Sequence, residues 1–373
     1  MNEYDIVMYF YWCHSYTLNK YLLLHNSLRE HCKVLTIIGE GEFGISKEEF
    51  SLFKEEDIKD VVLKPVEEAL NLLKSTNFKV GVFSSNGRKG WVSPAGKKPP
   101  ALKGRDIEIA KEKNAVSVQI SEMFSDFYYV GADIAALVSP MMKECHTNSN
   151  KYGTFHTYQW RPFDAFPQPK YIYSNCLLWD NHGKHLPYIL SKKEFCEKYN
   201  LDENKDILLF LPTTRQNFTS GIAKDVYKKV CNLENVIIKL HPNEHKKLAF
   251  HRHEGKQSYE MCGIENPRIL DPIDTHWCYK YASCAISNMT SVTIELPLYD
   301  LPFLYVSPPH FAWANLFKSF SHICDINEVE QFLSEKIYKT PIQGLKEFYN
   351  NNILTDSKKY SAEILKNQLL EML

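Results

Sequence analysis

The chain has 373 residues, enough for two domains with cores of their own. Its 44 basic and 45 acidic residues nearly cancel, so no charge excess points to a nucleic-acid partner. Ten cysteines occur without a Cys-x-x-Cys pair, and no His/Cys cluster has zinc spacing, which predicts reduced thiols and no bound metal.

The first segment, with acids at Glu3 and Asp5 where a signal peptide would carry lysines, reads as a strand over Ile6–Tyr11. A helix is predicted over Thr17–His31. Strands follow at Val34–Ile38, ending in the turn Gly39-Glu40-Gly41, and at Asp60–Leu63 and Lys79–Phe83, with a helix Pro65–Ser75 between them. Ser85–Lys103, rich in Gly, Pro, Lys and Arg, reads as a loop or flap. Ala115–Ile120, Tyr128–Tyr129 and Ala132–Val138 continue the strand rhythm, and such alternation argues for a parallel sheet with covering helices. No apolar run is long enough to span a bilayer.

A second alternating block starts near Leu186. Ser191 and Glu194 form a capping-box signature for a helix to Tyr199, followed by strand Asp206–Leu211 and helix Ile222–Leu233. Strands Val236–Leu240 and Arg268–Leu270, helix Thr275–Ala282, strand Cys284–Ile286, helix Val292–Leu298 and strand Phe303–Val306 complete the block. The tail Ser357–Leu373 is an amphipathic closing helix. The predicted architecture is α/β, two Rossmann-like domains facing across a cleft. The first spans residues 1–185, with helix 357–373 packing back on it, and the second spans residues 186–356.

Two turns of the second block carry chemistry. Lys239-Leu240-His241-Pro242 places a His at the carboxyl end of a strand, where ligands of open parallel sheets collect. Ser287-Asn288-Met289-Thr290-Ser291 leads from a strand into a predicted helix, so its hydroxyls and N–H groups form an anion site suited to phosphate or pyrophosphate. Thr213-Thr214-Arg215 ends a further strand, and Arg binds diphosphate oxygens in bidentate fashion. Each has a plainer alternative: a strand-end His that is structural, an ordinary N-cap at Thr290 and Ser291, a surface ion pair for Arg215. In the first block Glu122, at a strand end, is a candidate general base, set against a helix-start Glu favoured by the dipole. His156 and Arg161 sit in the aromatic stretch Phe155–Pro162, which suits either a sugar or an inter-domain filling.

The second block resembles the C-terminal half of GT-B transferases, most closely the CDP-glycerol glycerophosphotransferase family of teichoic acid and capsule synthesis. The resemblance covers roughly residues 190–310. It rests on helix Lys192–Leu201 followed by Ile207–Arg215, on Lys239–Pro242, on Tyr281–Glu295, and on strand Leu301–Val306. It implies a nucleotide-binding half in which His241, Lys239, Pro242, Thr213, Thr214, Arg215, Asn288, Thr290 and Ser291 surround the phosphates and Glu295 meets the ribose diol. The chain departs from the family at Asn288, where the motif has Asp, and at Ser121-Glu122, where the family's Trp-His-Gly-Thr is absent. Bacterial sialyltransferases and capsule Kdo transferases pair similar turns around CMP.

The expectation is therefore a metal-independent transferase without a resident cofactor. It moves a sugar or polyol-phosphate from a nucleotide-linked donor (CMP- or CDP-linked) to a glycan or lipid-linked glycan acceptor in bacterial surface polysaccharide synthesis. His241, Glu122 and His156 are its candidate catalytic residues, and its expected location is cytoplasmic, with room for contact at the inner face of the plasma membrane. A sugar-nucleotide 2-epimerase and a non-catalytic scaffold of a polysaccharide assembly complex are the rival readings.

Overall fold

A computed structural model describes residues 3–10, 13–40, 44–84, 105–121, 131–147, 168–180, 183–212, 221–241, 244, 257–288, 291–306, 323–324, 328–336 and 342–373. They divide into two compact units, one made of residues 1–149, 156–188 and 349–373, the other of residues 150–155 and 189–348.

The first unit is built on a seven-stranded sheet in the order β3-β2-β1-β4-β5-β6-β7, every neighbouring pair parallel. Its strands are β1 (Glu3–Phe10), β2 (Val34–Glu40), β3 (Val61–Pro65), β4 (Asn77–Ser84), β5 (Val116–Ile120), β6 (Ile134–Leu137) and β7 (Lys170–Tyr173). Continuous runs such as Ile6–Phe10 and Val34–Ile38 are buried on both faces, as parallel strands under helices must be. Between the strands lie the helices Ser15–Arg29, Lys47–Phe50, Val66–Ser75, Arg105–Glu112 and Pro140–Thr147. Val66–Ser75 buries Ala69, Leu70 and Leu73, one stripe at helical spacing, while Glu67 and Glu68 occupy the first turn where the dipole favours acids.

Residues 349–373 belong to this unit and are tied to it by polar side chains. Asn175, in the left-handed region at φ 61°, accepts from the Thr355 N–H (2.6 Å) and donates to the Asp356 carbonyl (2.8 Å). Asp180 takes the N–H groups of Ser361 (2.7 Å) and Ala362 (2.9 Å), satisfying the open donors of the final helix Ser361–Leu370. That helix lies against Ser15–Arg29.

The second unit holds a five-stranded parallel sheet, β12-β11-β10-β8-β9, formed by β8 (Leu208–Leu211), β9 (Val236–Ile238), β10 (Cys284–Asn288), β11 (Phe303–Val306) and β12 (Ile323–Cys324). Phe210, Tyr227, Ile286 and Leu304 are among the residues that fill its core. The helix Lys192–Tyr199 starts with the predicted capping box: Ser191 Oγ accepts from the Glu194 N–H (3.2 Å), and Glu194 accepts from the Ser191 N–H (2.8 Å). Asn200, at φ 51°, closes it. The predicted strand Arg268–Leu270 is reduced to one bridge beside Ile238, in which Ile238 N–H donates to the Arg268 carbonyl and Leu270 N–H to the Ile238 carbonyl, both at 2.8 Å. Pro267 before it and Pro272 after it limit how far the ladder extends.

Candidate nucleotide site

The winding of the second sheet determines where a ligand sits. From β8 the chain crosses to β9 on one side and then returns to β10 on the other. The order reverses between β8 and β10, and the crevice outside the carboxyl ends at such a reversal is where open α/β sheets bind ligands. The chain leaving β8 is Pro212-Thr213-Thr214-Arg215, and the chain leaving β10 runs through Asn288 to Ser291. Lys239 to His241 extend β9, one strand away.

The β9 turn is anchored at both ends. Lys239 N–H still donates to the Phe210 carbonyl (3.0 Å), so the backbone follows β8 beyond the end of the strand. After His241, the Glu244 N–H returns to the His241 carbonyl (2.9 Å). Glu244 is buried and accepts from the Ser258 N–H (2.6 Å) and from the Ser258 hydroxyl, while Gln257 Nε2 donates to its carbonyl (2.9 Å). His241 itself is half-buried. Lys239 keeps some exposed surface as a residue, yet its ammonium is enclosed. Burial pushes that ammonium below the ordinary lysine range, and the Glu295 carboxylate works against the shift. The fold thus brings Lys239 and Glu295 into electrostatic reach, which makes Glu295 a counter-charge to Lys239.

The β10 turn differs from its sequence reading. In place of an α-helix over Val292–Leu298 there are two 3₁₀ turns, Ser291–Ile294 and Leu296–Tyr299, with Glu295 between them. Their bonds span three residues: Glu295 N–H to the Val292 carbonyl (2.9 Å) and Leu298 N–H to the Glu295 carbonyl (3.0 Å). Pro297 supplies no N–H, and the β-branched run Val292-Thr293-Ile294 is a poor helix former. The long helix dipole expected behind the anion site is therefore missing; any anion here is met by local donors. The turn is pinned from beneath by a buried hydrogen bond between the hydroxyls of Ser287 and Thr293. Asn288, wholly buried, donates from Nδ2 to the Val306 carbonyl (2.9 Å), while its Oδ1 has no partner. An Asp at this position would set a carboxylate against that carbonyl, where the Asn carboxamide donates a hydrogen bond.

The structure brings Lys239, His241, Asn288, Glu295 and the Ser291 backbone to the carboxyl end of one sheet. Glu122, His156, Arg161, Thr213, Thr214, Arg215, Pro242 and Thr290 lie outside the described residues, as do the Ser85–Lys103 loop and the Tyr128–Tyr129 segment. Among the described residues no group of three or more His, Cys, Asp or Glu side chains is placed to hold a metal ion, and no helix is long and apolar enough to cross a membrane. A polar group in the first unit escaped the sequence reading: Ser15, Asn19 and Lys20 on the helix after β1, with Asp180. Its signal was available, since polar residues occupy the start of an otherwise apolar helix directly after a buried strand.

No protein-family model matches the sequence, and comparison with curated proteins gives no match. Solved structures do match in fold. The UDP-GlcNAc 2-epimerase of Neisseria meningitidis, bound to UDP-GlcNAc, is 10% identical, with a TM-score of 0.57 over 98% of this chain and 100% of its own. Arabidopsis thaliana UGT89C1, complexed with UDP-L-rhamnose, is 10% identical, with a TM-score of 0.54 over 99% of each chain. A glycosyltransferase of Rickettsia africae is 13% identical, with a TM-score of 0.52 over 100% of this chain and 99% of its own. At such identities the likeness is one of fold: a mixed α/β, GT-B-like chain of two units with parallel sheets.

Proposed function

We propose that the protein is a transferase acting on a nucleotide-linked sugar or polyol, with the nucleotide phosphates held by the second unit. The observation that carries this is the reversal of strand order between β8 and β10, which Thr213–Arg215 and Thr290–Ser291 follow in the sequence, while β9 presents Lys239 and His241 alongside. In this reading His241, Arg215 and the donors of the Thr290–Ser291 turn stabilise negative charge on the departing phosphate without a metal ion. The order of the motifs favours a cytidine nucleotide and a glycan acceptor of a surface polysaccharide. The solved neighbours that carry UDP sugars make uridine the competing base.

A thermal-shift screen with CMP, CDP, UDP and GDP, with and without EDTA, tests the reading. A ligand at 100 times its dissociation constant adds about 2.7 kcal/mol of stability, which is readily seen. Absence of a shift with every nucleotide would remove the proposal, and activity lost in EDTA and restored by Mg2+ would remove its metal-free mechanism. Full-length similarity to a UDP-GlcNAc 2-epimerase supports a second reading. Incubation with donor alone separates the two: an epimerase inverts the sugar and keeps the nucleotide attached, whereas a transferase releases nucleotide only when an acceptor is present.

A further inference from the structure

The first sheet has a winding reversal of its own. From β1 the chain winds outward through β2 to β3 and returns to the far side of β1 as β4, so the reversal falls between the carboxyl ends Phe10 and Ser84. The helix Ser15–Arg29 begins just beyond Phe10, on the same edge of the sheet. Ser15 and Asn19 are 3% and 2% exposed, and neither Ser15 Oγ nor either polar atom of the Asn19 carboxamide has a hydrogen-bond partner. They stand four residues apart on one helix face, and side chains on a helix lean toward its N-terminus, so Asn19 reaches over Ser15 toward the helix start. Buried polar atoms in folded proteins are almost always hydrogen-bonded, and leaving one unpaired is costly. Three such atoms together at a ligand-collecting edge mark a place where the partner comes from outside the chain.

The chemistry of that partner follows from what surrounds the pair. The first-turn N–H groups of Thr17 and Leu18 both turn to the His14 carbonyl (2.9 and 3.0 Å), which removes two donors an anion would use. The nearby charges frame the unit: Lys20 donates to the Asp180 carbonyl, and the Asp180 carboxylate holds the start of the final helix. A hydroxyl and a carboxamide, each able to donate and accept, suit hydroxyl groups. We propose that the start of the helix Ser15–Arg29 is a binding site for an uncharged polyhydroxyl group, a sugar or polyol, recognised by Ser15 Oγ and the Asn19 carboxamide. The choice of sugar chemistry deepens the transferase reading and rests on it; the existence of the site does not. The group belongs either to the acceptor or to the sugar of the donor.

Saturation-transfer difference NMR on the full chain tests this. The probes are N-acetylglucosamine, glucose and glycerol as free polyols, and UDP-GlcNAc with UDP as its control. In the wild type, sugar or polyol protons of at least one probe should receive saturation. A response from the free polyols identifies the acceptor, and a response confined to UDP-GlcNAc identifies the donor sugar. Asn19→Leu and Ser15→Ala should each weaken that signal by at least about threefold, the effect of losing one or two hydrogen bonds, with UDP ring protons unaffected. Because the replaced atoms have no partners in the chain, both variants should fold, as circular dichroism will show, and Ser15→Ala carries the comparison should Asn19→Leu not fold. The proposal is overturned if no sugar or polyol proton responds in the wild type, or if neither folded variant changes the response. A sugar response without any UDP response would leave this site standing and remove uridine as the base of the nucleotide.

Discussion

The two sheets reverse their winding in the same manner yet present opposite chemistry at the reversal. In the second unit the strand ends carry Lys239 and His241, with Glu295 as a counter-charge. In the first, the corresponding edge carries a hydroxyl and a carboxamide without partners, while the charged Lys20 and Asp180 are engaged in holding the unit together. Winding therefore indicates where a ligand is met, and the residues placed there decide its class, proposed as phosphate for the second unit and uncharged hydroxyls for the first. Function resides in the side chains on the fold, so this difference is more informative than the likeness to solved structures.

The sharpest way to break the comparison is to disable one candidate in each unit. His241→Ala should lower kcat by roughly 100- to 1,000-fold, the usual loss when one preorganised donor to a developing anion is removed. Glu122→Gln should leave the nucleotide-induced thermal shift intact and lower transfer by about 100- to 10,000-fold, as removal of a general base does. A His241 variant retaining more than half of wild-type kcat/KM would show that the residue is structural. A Glu122 variant that loses nucleotide binding instead would end the division of labour between the units and move attention to His156.

Much of the fold was legible because buried parallel strands are apolar runs that need no tertiary information. Phe303–Val306 was read with the observed bounds, and Ser191–Glu194 announced its helix through a local bond that the structure forms. The failures share a cause. Lys170–Tyr173, to which the sequence assigned no element, is short and half-buried and becomes a strand only with β6 beside it. The turn after Asn288 looked α-helical because its apolar spacing was counted without weighing Pro297. The approach of Lys239 to Glu295 depends on strand order, which no local pattern carries. The orphaned Ser15 and Asn19 are visible only once burial is known.

A second test concerns the frame of the first unit. Burial raises the Asp180 carboxyl from its ordinary value of 3.8 to about 6, against the opposing pull of the Ala362 and Ser361 N–H groups and of Lys20. The folded chain then holds this proton more tightly than the unfolded chain, so the contribution favours folding at low pH and is lost as the pH rises through about 6. Asp180→Asn removes the titration. Its stability relative to wild type, from urea unfolding, should rise by up to roughly 3 kcal/mol between about pH 4 and pH 7. A difference that stays flat across that range would mean that the carboxylate is no harder to ionise in the fold than in the open chain.

The smallest expected effect bears on the other unit and asks whether its turn is held by the hydroxyl pair beneath it. Ser287 and Thr293 are both wholly buried and bond to each other, so removing the Thr293 hydroxyl takes away the partner of the buried Ser287 hydroxyl. Ser287→Ala or Thr293→Val alone should cost about 1–3 kcal/mol, whereas the double variant should cost less than the sum, because their shared bond is lost only once and no unpaired Ser287 hydroxyl remains. Nucleotide affinity adds a second readout. If the pair sets the position of the Thr290–Ser291 donors, the double variant recovers stability and still binds nucleotide more weakly than wild type. Additive stability losses would show that the two hydroxyls act independently. A double variant with wild-type affinity would show that the turn holds its shape without them, leaving the bond from Asn288 to Val306 as its anchor.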